Sequence, residues 1–187
     1  MEEASIREVL ISNTMQVLET AAMVFIEAAG EDGAGEGDAG EAFGAREPAL
    51  VACMDFTGRV AGCIALAAGE GLGRGLARDM IGLDEEEGND GGEGEAGDEE
   101  TDPADALGEI LNMIGMITLE ALFPGRIATV DPPRAISLAS YLEMTGGSGE
   151  AMVVRQGFTV EEGVFELMLM VEREQREGEQ QEGQAAT

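Results

Sequence analysis

The chain has no histidine, no lysine and no tryptophan. Without histidine, the Ser-His and Cys-His nucleophilic systems and the imidazole zinc centres fall away. Without lysine there is no P-loop. Gly69-Glu70-Gly71-Leu72-Gly73-Arg74-Gly75 carries the glycines of a phosphate loop, yet it fits neither that motif nor GxGxxG. It reads as a flexible lead-in to a helix. Cysteine is scarce too, Cys53 and Cys63 only, which suits a reducing compartment and a pair of buried thiols rather than a disulfide or a metal site. No apolar run reaches the roughly 20 residues of a membrane span. The acidic opening Met1-Glu2-Glu3-Ala4-Ser5 is no signal peptide. The expectation is a cytoplasmic protein.

What the chain does have is acid. Its net charge is -29 over 187 residues, and all ten cations are Arg. Phosphate backbones and anionic lipid surfaces would be repelled, which excludes nucleic acid and membrane as partners. The Arg-only usage fits either the codon bias of a GC-rich genome or a salt-adapted acidic surface. The acid is concentrated. Gly30 to Gly44 is a Gly/Ala/acid run, and 12 of the 22 residues from Asp84 to Asp105 are acidic. Such runs bury no apolar surface and repel themselves, so both read as solvated insertions. The second has no EF-hand spacing. From Arg173 the chain is polar and aperiodic. The organisation expected is one domain over 1–172, with insertions at 30–44 and 84–104 and a disordered tail at 173–187.

The apolar segments alternate in period. Ser5 to about Ala28 carries helical spacing through Ile6, Val9, Leu10, Val17, Leu18, Ala21, Ala22 and Phe25. Residues 49–56 and 59–66 read as a hairpin turning at Thr57-Gly58, which would point Cys53 and Cys63 to opposite faces. Leu72 to Leu83 reads as a second helix with Leu76, Met80 and Ile81 inward. Asp102-Pro103 starts a third, as N-cap and N1, and Pro124-Gly125 ends it. Three strands are expected after that, about 135–144, 151–159 and 164–172, with Gly146-Gly147-Ser148-Gly149 and Glu161-Glu162-Gly163 as connections. The fold class is α+β, long helices on an antiparallel sheet, with a helix-then-strands order that occurs twice as in a degenerate duplication.

The third helix carries the most information. At 100° per residue, Leu107, Ile110, Leu111, Ile114, Ile117 and Ala121 fall on one side. Asp105, Glu109, Asn112 and Met116 fall on the other, flanked by Gly108 and Gly115, which leave room for a partner's backbone. Polar residues outside an amphipathic helix are ordinarily just solvated, and Asp105 in the first turn suits the helix dipole. A carboxylate and a carboxamide held side by side can also grip a cation and position a water. An exposed Met on the same stripe suits a contact surface.

In this context the chain resembles the CheX-type chemotaxis phosphatases of the CheC/CheX/FliY family. Their pattern is Asp or Ser, three residues, Glu, two residues, Asn, then Pro about 22 positions on. Here it reads Asp105, Glu109 and Asn112, with Pro133 one residue short of the expected place and Arg134 in it. The long first helix, Asp55-Phe56-Thr57-Gly58-Arg59-Val60-Ala61-Gly62, Ala77-Arg78-Asp79-Met80-Ile81-Gly82, and the closing hairpin from Gly157-Phe158 to Val171 are also similar. CheC-type members carry the motif on both long helices. Here Leu10 precedes Asn13 by three residues, so one site remains, as in the CheX type.

The resemblance implies a protein phosphatase acting on the aspartyl phosphate of a CheY-like response regulator. Glu109 would dock the regulator's Lys, and Asn112 would orient the attacking water. Asp105, Met116 and Pro133 would support them. It implies no cofactor of the chain's own, Mg²⁺ supplied by the phosphorylated partner, and a homodimer. The alternative is a non-catalytic CheX-like module that binds a regulator or a flagellar or signalling partner. The acidic insertion ends one turn before the stripe, where it would act as a plain linker or as a steering field.

Overall fold

The computed structural model describes residues 2–22, 26–28, 49–69, 71–75, 102–146, 151–160 and 163–172. The expected insertion at 30–44, the residues of the second helix beyond 75, most of the acidic run at 84–104 and the tail at 173–187 lie outside them. Helix α1 spans Glu3–Val17 and continues as a π-helical turn over Leu18–Ala22. Strand β1 is Glu27–Ala28, β2 Ala49–Gly58 and β3 Gly62–Gly69. Helix α2 is Pro103–Leu122, followed by β4 (Ile127–Val130), β5 (Arg134–Ala135), helix α3 (Leu138–Thr145), β6 (Ala151–Val160) and β7 (Gly163–Glu172). Residues 71–75 are also helical. The architecture is α+β, as the alternating periods indicated.

All pairings in the sheet are antiparallel, in the order β1-β6-β7-β3-β2-β4, with β5 also on β2. A long helix precedes a hairpin twice in chain order: α1 before β2–β3, and α2 before β6–β7 with β4, β5 and α3 between them. The two hairpins meet at β3 and β7, where Leu66 pairs with Leu167. Pleating then assigns the faces. Met54, Phe56, Ile64, Leu66, Val154, Leu167 and Leu169 face α1 and α2 in the main core. Val51, Cys53, Cys63, Ala65, Ala67 and Met168 face α3 in a smaller one around Tyr141.

Four sequence expectations are corrected. The first helix does not reach Ala28. The Thr14 and Thr20 hydroxyls donate back to the carbonyls of Leu10 and Gln16, which loosens the helical ladder. The turn then widens, and Glu27–Ala28 pairs with Thr159 and Phe158 instead. Thr57-Gly58 is not a turn either. β4 offers both residues strand partners, Thr129 and Ile127, so β2 overshoots and Phe56 pairs with Gly62. Cys53 and Cys63 consequently share one face.

The segment 135–144 is mostly helix. Ser137 caps it by accepting from the Ser140 amide at 3.1 Å, and Leu138, Tyr141 and Leu142 form an i, i+3, i+4 face on the sheet. Gly146 therefore leads out of a helix rather than turning a hairpin. Ile117 and Ala121 are exposed, whereas Thr118, Leu119 and Leu122 are buried. The buried arc moves round α2 as the helix crosses a twisted sheet.

Tyr141 secures α3. It is fully buried, and its hydroxyl donates to Glu166, which Arg155 also grips with two hydrogen bonds of 3.0 Å. Burial and the Glu166 charge push the phenol pKa up, so the group remains a donor. Tyr141→Phe keeps the packing and removes one hydrogen bond to a charge, so it should cost about 1.5–3 kcal/mol. Tyr141→Ala should cost about 3–5 kcal/mol through the cavity it leaves. Urea unfolding of both variants measures the difference.

Candidate functional site on helix α2

Local chemistry fixes where α2 begins and ends. Asp102 accepts from the Ala104 amide at 2.9 Å, and Pro103 occupies the first turn, where its missing N–H costs nothing. At the other end the Phe123 amide bonds to the Leu119 carbonyl. Gly125, at φ 65°, then takes the left-handed turn that sends the chain into β4. Phe123 stacks on Phe56 at 6.2 Å between centroids, fastening this end to β2.

The inner face sets the rotation. Leu107, Ile110, Leu111 and Ile114 are fully buried. Gly115 lies directly over the Met54 side chain, where a Cβ would meet Met54 Cε. The expectation that Gly115 makes room for a partner is therefore wrong; it makes room for the core. Gly108 instead faces Pro133, whose Cβ would lie 3.5 Å from an added methyl.

Asp105, Glu109 and Met116 are exposed and Asn112 is half-buried, so the outward stripe stands where the helical period put it. Glu109 and Asn112 sit at i and i+3, with Cβ atoms about 5–6 Å apart. A groove of about 610 Å³ runs between this stripe and the segment 127–133. Glu109, Asn112 and Met116 line it from the helix, Ile127, Asp131 and Pro133 from the facing segment, and buried Leu119 from below. Asp105 is not among its lining residues. The groove thus gathers Glu109, Asn112, Met116 and Pro133 and leaves Asp105 apart in the first turn.

Sequence reasoning missed Glu120 and Asp131, which add two carboxylates to the groove. Glu120 continues the outward stripe at i+4 from Met116, and the Pro132-Pro133 pair marks the chain leaving β4 beside Asp131. This far wall is anchored to β2. The Asp131 amide donates to the Asp55 carbonyl at 2.9 Å, and Arg134 pairs with the Asp55 carboxylate at 2.5 Å. On α1, Leu10 is fully buried and Asn13 donates to Thr118 of α2 at 3.2 Å. The face of α1 that would hold a second motif is spent on packing.

Residues 50–155 match the model of a family described as Chemotaxis phosphatase CheX. The chain belongs to the CheX family. Its fold is that of solved CheX structures. CheX from Desulfovibrio desulfuricans is similar at a TM-score of 0.60 and 18% identity, over 90% of this chain and 99% of that one. CheX from Vibrio vulnificus gives 0.59 and 18%, over 92% and 99%. A complex of CheX with CheY, BeF3 and Mg²⁺ from Borrelia burgdorferi gives 0.55 and 12%, over 89% and 97%. No curated protein matches the chain in sequence. Membership of a family of chemotaxis phosphatases agrees with the resemblance carried by the α2 motif. Among the described residues, no helix is long and apolar enough to cross a membrane.

The two helix glycines should respond differently to one substitution. Gly108→Ala adds an ordinary contact and removes a flexible residue from a helix, so it should stabilise by about 0.5–1 kcal/mol. Gly115→Ala must turn the buried Met54 terminal methyl aside, which offsets the same helical gain, so it should be neutral to about 1 kcal/mol destabilising. Chemical denaturation midpoints compare the two.

Proposed function

We propose that this CheX-family chain hydrolyses the aspartyl phosphate of a CheY-like response regulator, with α2 as the catalytic element. The observation that carries the proposal is the stripe itself. Glu109 and Asn112 stand outward on a helix whose other side is locked into the core, next to a groove walled by Pro133. A carboxamide can accept from a water while donating elsewhere. Asn112 reaches into the partner's pocket and holds a water in line with the phosphorus. Glu109 pairs with the partner's Lys and fixes the register. Exposed Met116 and Ile117 supply the apolar contact around them.

The reaction is attack of water on phosphorus with departure of the partner's carboxylate. It is catalysed mainly by positioning and electrostatics. Mg²⁺ belongs to the partner's phosphorylated pocket. The lining side chains Glu109, Asn112, Met116 and Glu120 of α2 include no cation, so the phosphoryl charge is met from the partner's side. Asp105 acts through the first turn of the helix, and Pro133 through the position of the groove wall.

The test is phosphate release from a phosphorylated CheY-type regulator with Mg²⁺. Wild type should accelerate it. Asn112→Ala should lose about 100-fold or more in rate while still binding the regulator. Glu109→Ala should weaken both binding and rate. Turnover by Asn112→Ala at the wild-type level would sink the mechanism. Binding by the wild type without acceleration would leave a docking module.

Electrostatics supplies a second expectation. Glu109, Glu120 and Asp131 make the groove acidic within a chain of net charge -29. A basic docking face is drawn to it through a field that salt screens over about 10 Å at 0.1 M. KM for the phosphorylated regulator should therefore rise with ionic strength while kcat stays level. Steady-state assays from low to high NaCl read this directly.

A further inference from the structure

The sheet face turned away from α2 holds a cluster that the phosphatase reading does not use. Cys53 and Asp55 on β2 and Cys63 on β3 bring their ligand atoms within 4.8 Å of one another. Both thiols are free, and they are 0% and 2% exposed. Cys53 Sγ lies 4.0 Å from Asp55 Oδ1, and Cys63 Sγ lies 4.0 Å from Met144 Sδ, on α3. Val51, Ala65, Met168 and Tyr141 surround them. We propose that Cys53 and Cys63, with Met144 as third ligand, form a binding site for a thiophilic d¹⁰ cation, Cu(I).

Strand register decides between a bound ion and a disulfide. Cys63 pairs with Asp55, two residues along from Cys53, so the cysteines sit on a diagonal of adjacent strands. Diagonal neighbours are about 7–8 Å apart, beyond the usual reach of a disulfide of about 4.4–6.8 Å between Cα atoms. An ion with metal–sulfur bonds of about 2.3 Å, the length for zinc, spans sulfurs up to about 4.6 Å apart. That span is close to the 4.8 Å within which the ligand atoms of this cluster lie.

Donor type decides the ion. Two thiolates and a thioether are a soft set that selects Cu(I). Zn²⁺ would need the carboxylate and a fourth ligand, but Asp55 is already committed to Arg134 at 2.5 Å. Binding releases both thiol protons and leaves one net negative charge on the bis-thiolate complex.

The experiment is an anaerobic titration of the reduced full-length protein with Cu(I) against a chromogenic chelator. The near-ultraviolet sulfur-to-copper band and the loss of reactive thiols are followed together. The background is low, because the chain has no other thiol and no imidazole. One equivalent should bind. Cys53→Ser and Cys63→Ser should each lose roughly 100-fold or more, beyond the cost of disturbing outer-shell partners. Met144→Leu should keep the fold and weaken binding about tenfold, at the low end of that range. It keeps the test alive if a serine variant misfolds by circular dichroism. Asp55→Asn should bind Cu(I) as wild type does. No uptake by the wild type, uptake unchanged in folded serine variants or in Met144→Leu, or a preference for Zn²⁺ that depends on Asp55 would each overturn the assignment.

Discussion

The seat of Gly115 on Met54 is the contact on which the exposed chemistry depends. Met54 is fully buried in β2, and its terminal methyl occupies the space a side chain at position 115 would need. That contact allows α2 to approach the sheet closely and sets its rotation. Leu107, Ile110, Leu111 and Ile114 then bury completely, each stabilising the fold by about 1.5–3 kcal/mol. With the inner face held so strongly, the outer stripe has one orientation. Glu109 and Asn112 face outward because other residues are forced inward.

β2 has a second role through its opposite face. Alternation along this one strand sends Met54 and Phe56 to α2 and Cys53 and Asp55 towards α3. Asp55 holds the far wall of the groove twice, by its carbonyl to Asp131 and by its carboxylate to Arg134. The ion pair is partly exposed and is worth little as stability, about 0–1 kcal/mol. Its value is geometric, since it sits one residue beyond Pro133. The groove and the thiol cluster are thus built on neighbouring atoms of one strand, on opposite faces of the sheet.

The sequence showed the α2 stripe and its capping clearly because both are local. A 20-residue helix states its period several times over, and Asp102-Pro103 marks its start chemically. The β6–β7 hairpin was legible for the same reason, two apolar runs with a short polar link. The failures were non-local. Thr57-Gly58 has turn composition, and only the arrival of β4 makes it strand. The segment 135–144 mixes two periods, and the sheet face waiting for Tyr141 settles it as helix. Ile117 and Ala121 turn outward because the sheet twists beneath α2, which no straight helical projection contains. The thiol pair was lost through the hairpin register, where the extra connecting residues brought both cysteines to one side.

The catalytic role proposed for the α2 stripe inverts the usual signature of an active site. An enzyme that encloses its substrate buries its reactive groups and perturbs them. If the substrate is a phosphoryl group already held in a partner's pocket, the catalyst must project into that pocket. Exposure is then a requirement: Glu109 and Met116 are exposed, and the groove beside them receives the partner's surface rather than the phosphate. The charge follows the same logic. Glu109, Glu120 and Asp131 would oppose a free phosphate anion. They suit a partner that has neutralised its own phosphoryl group with Mg²⁺ and presents cationic side chains around it. On the proposed reading, the same acidity discriminates against loose phosphate, leaving the chain to act on a phosphoryl group only when a partner's positive charges carry it in.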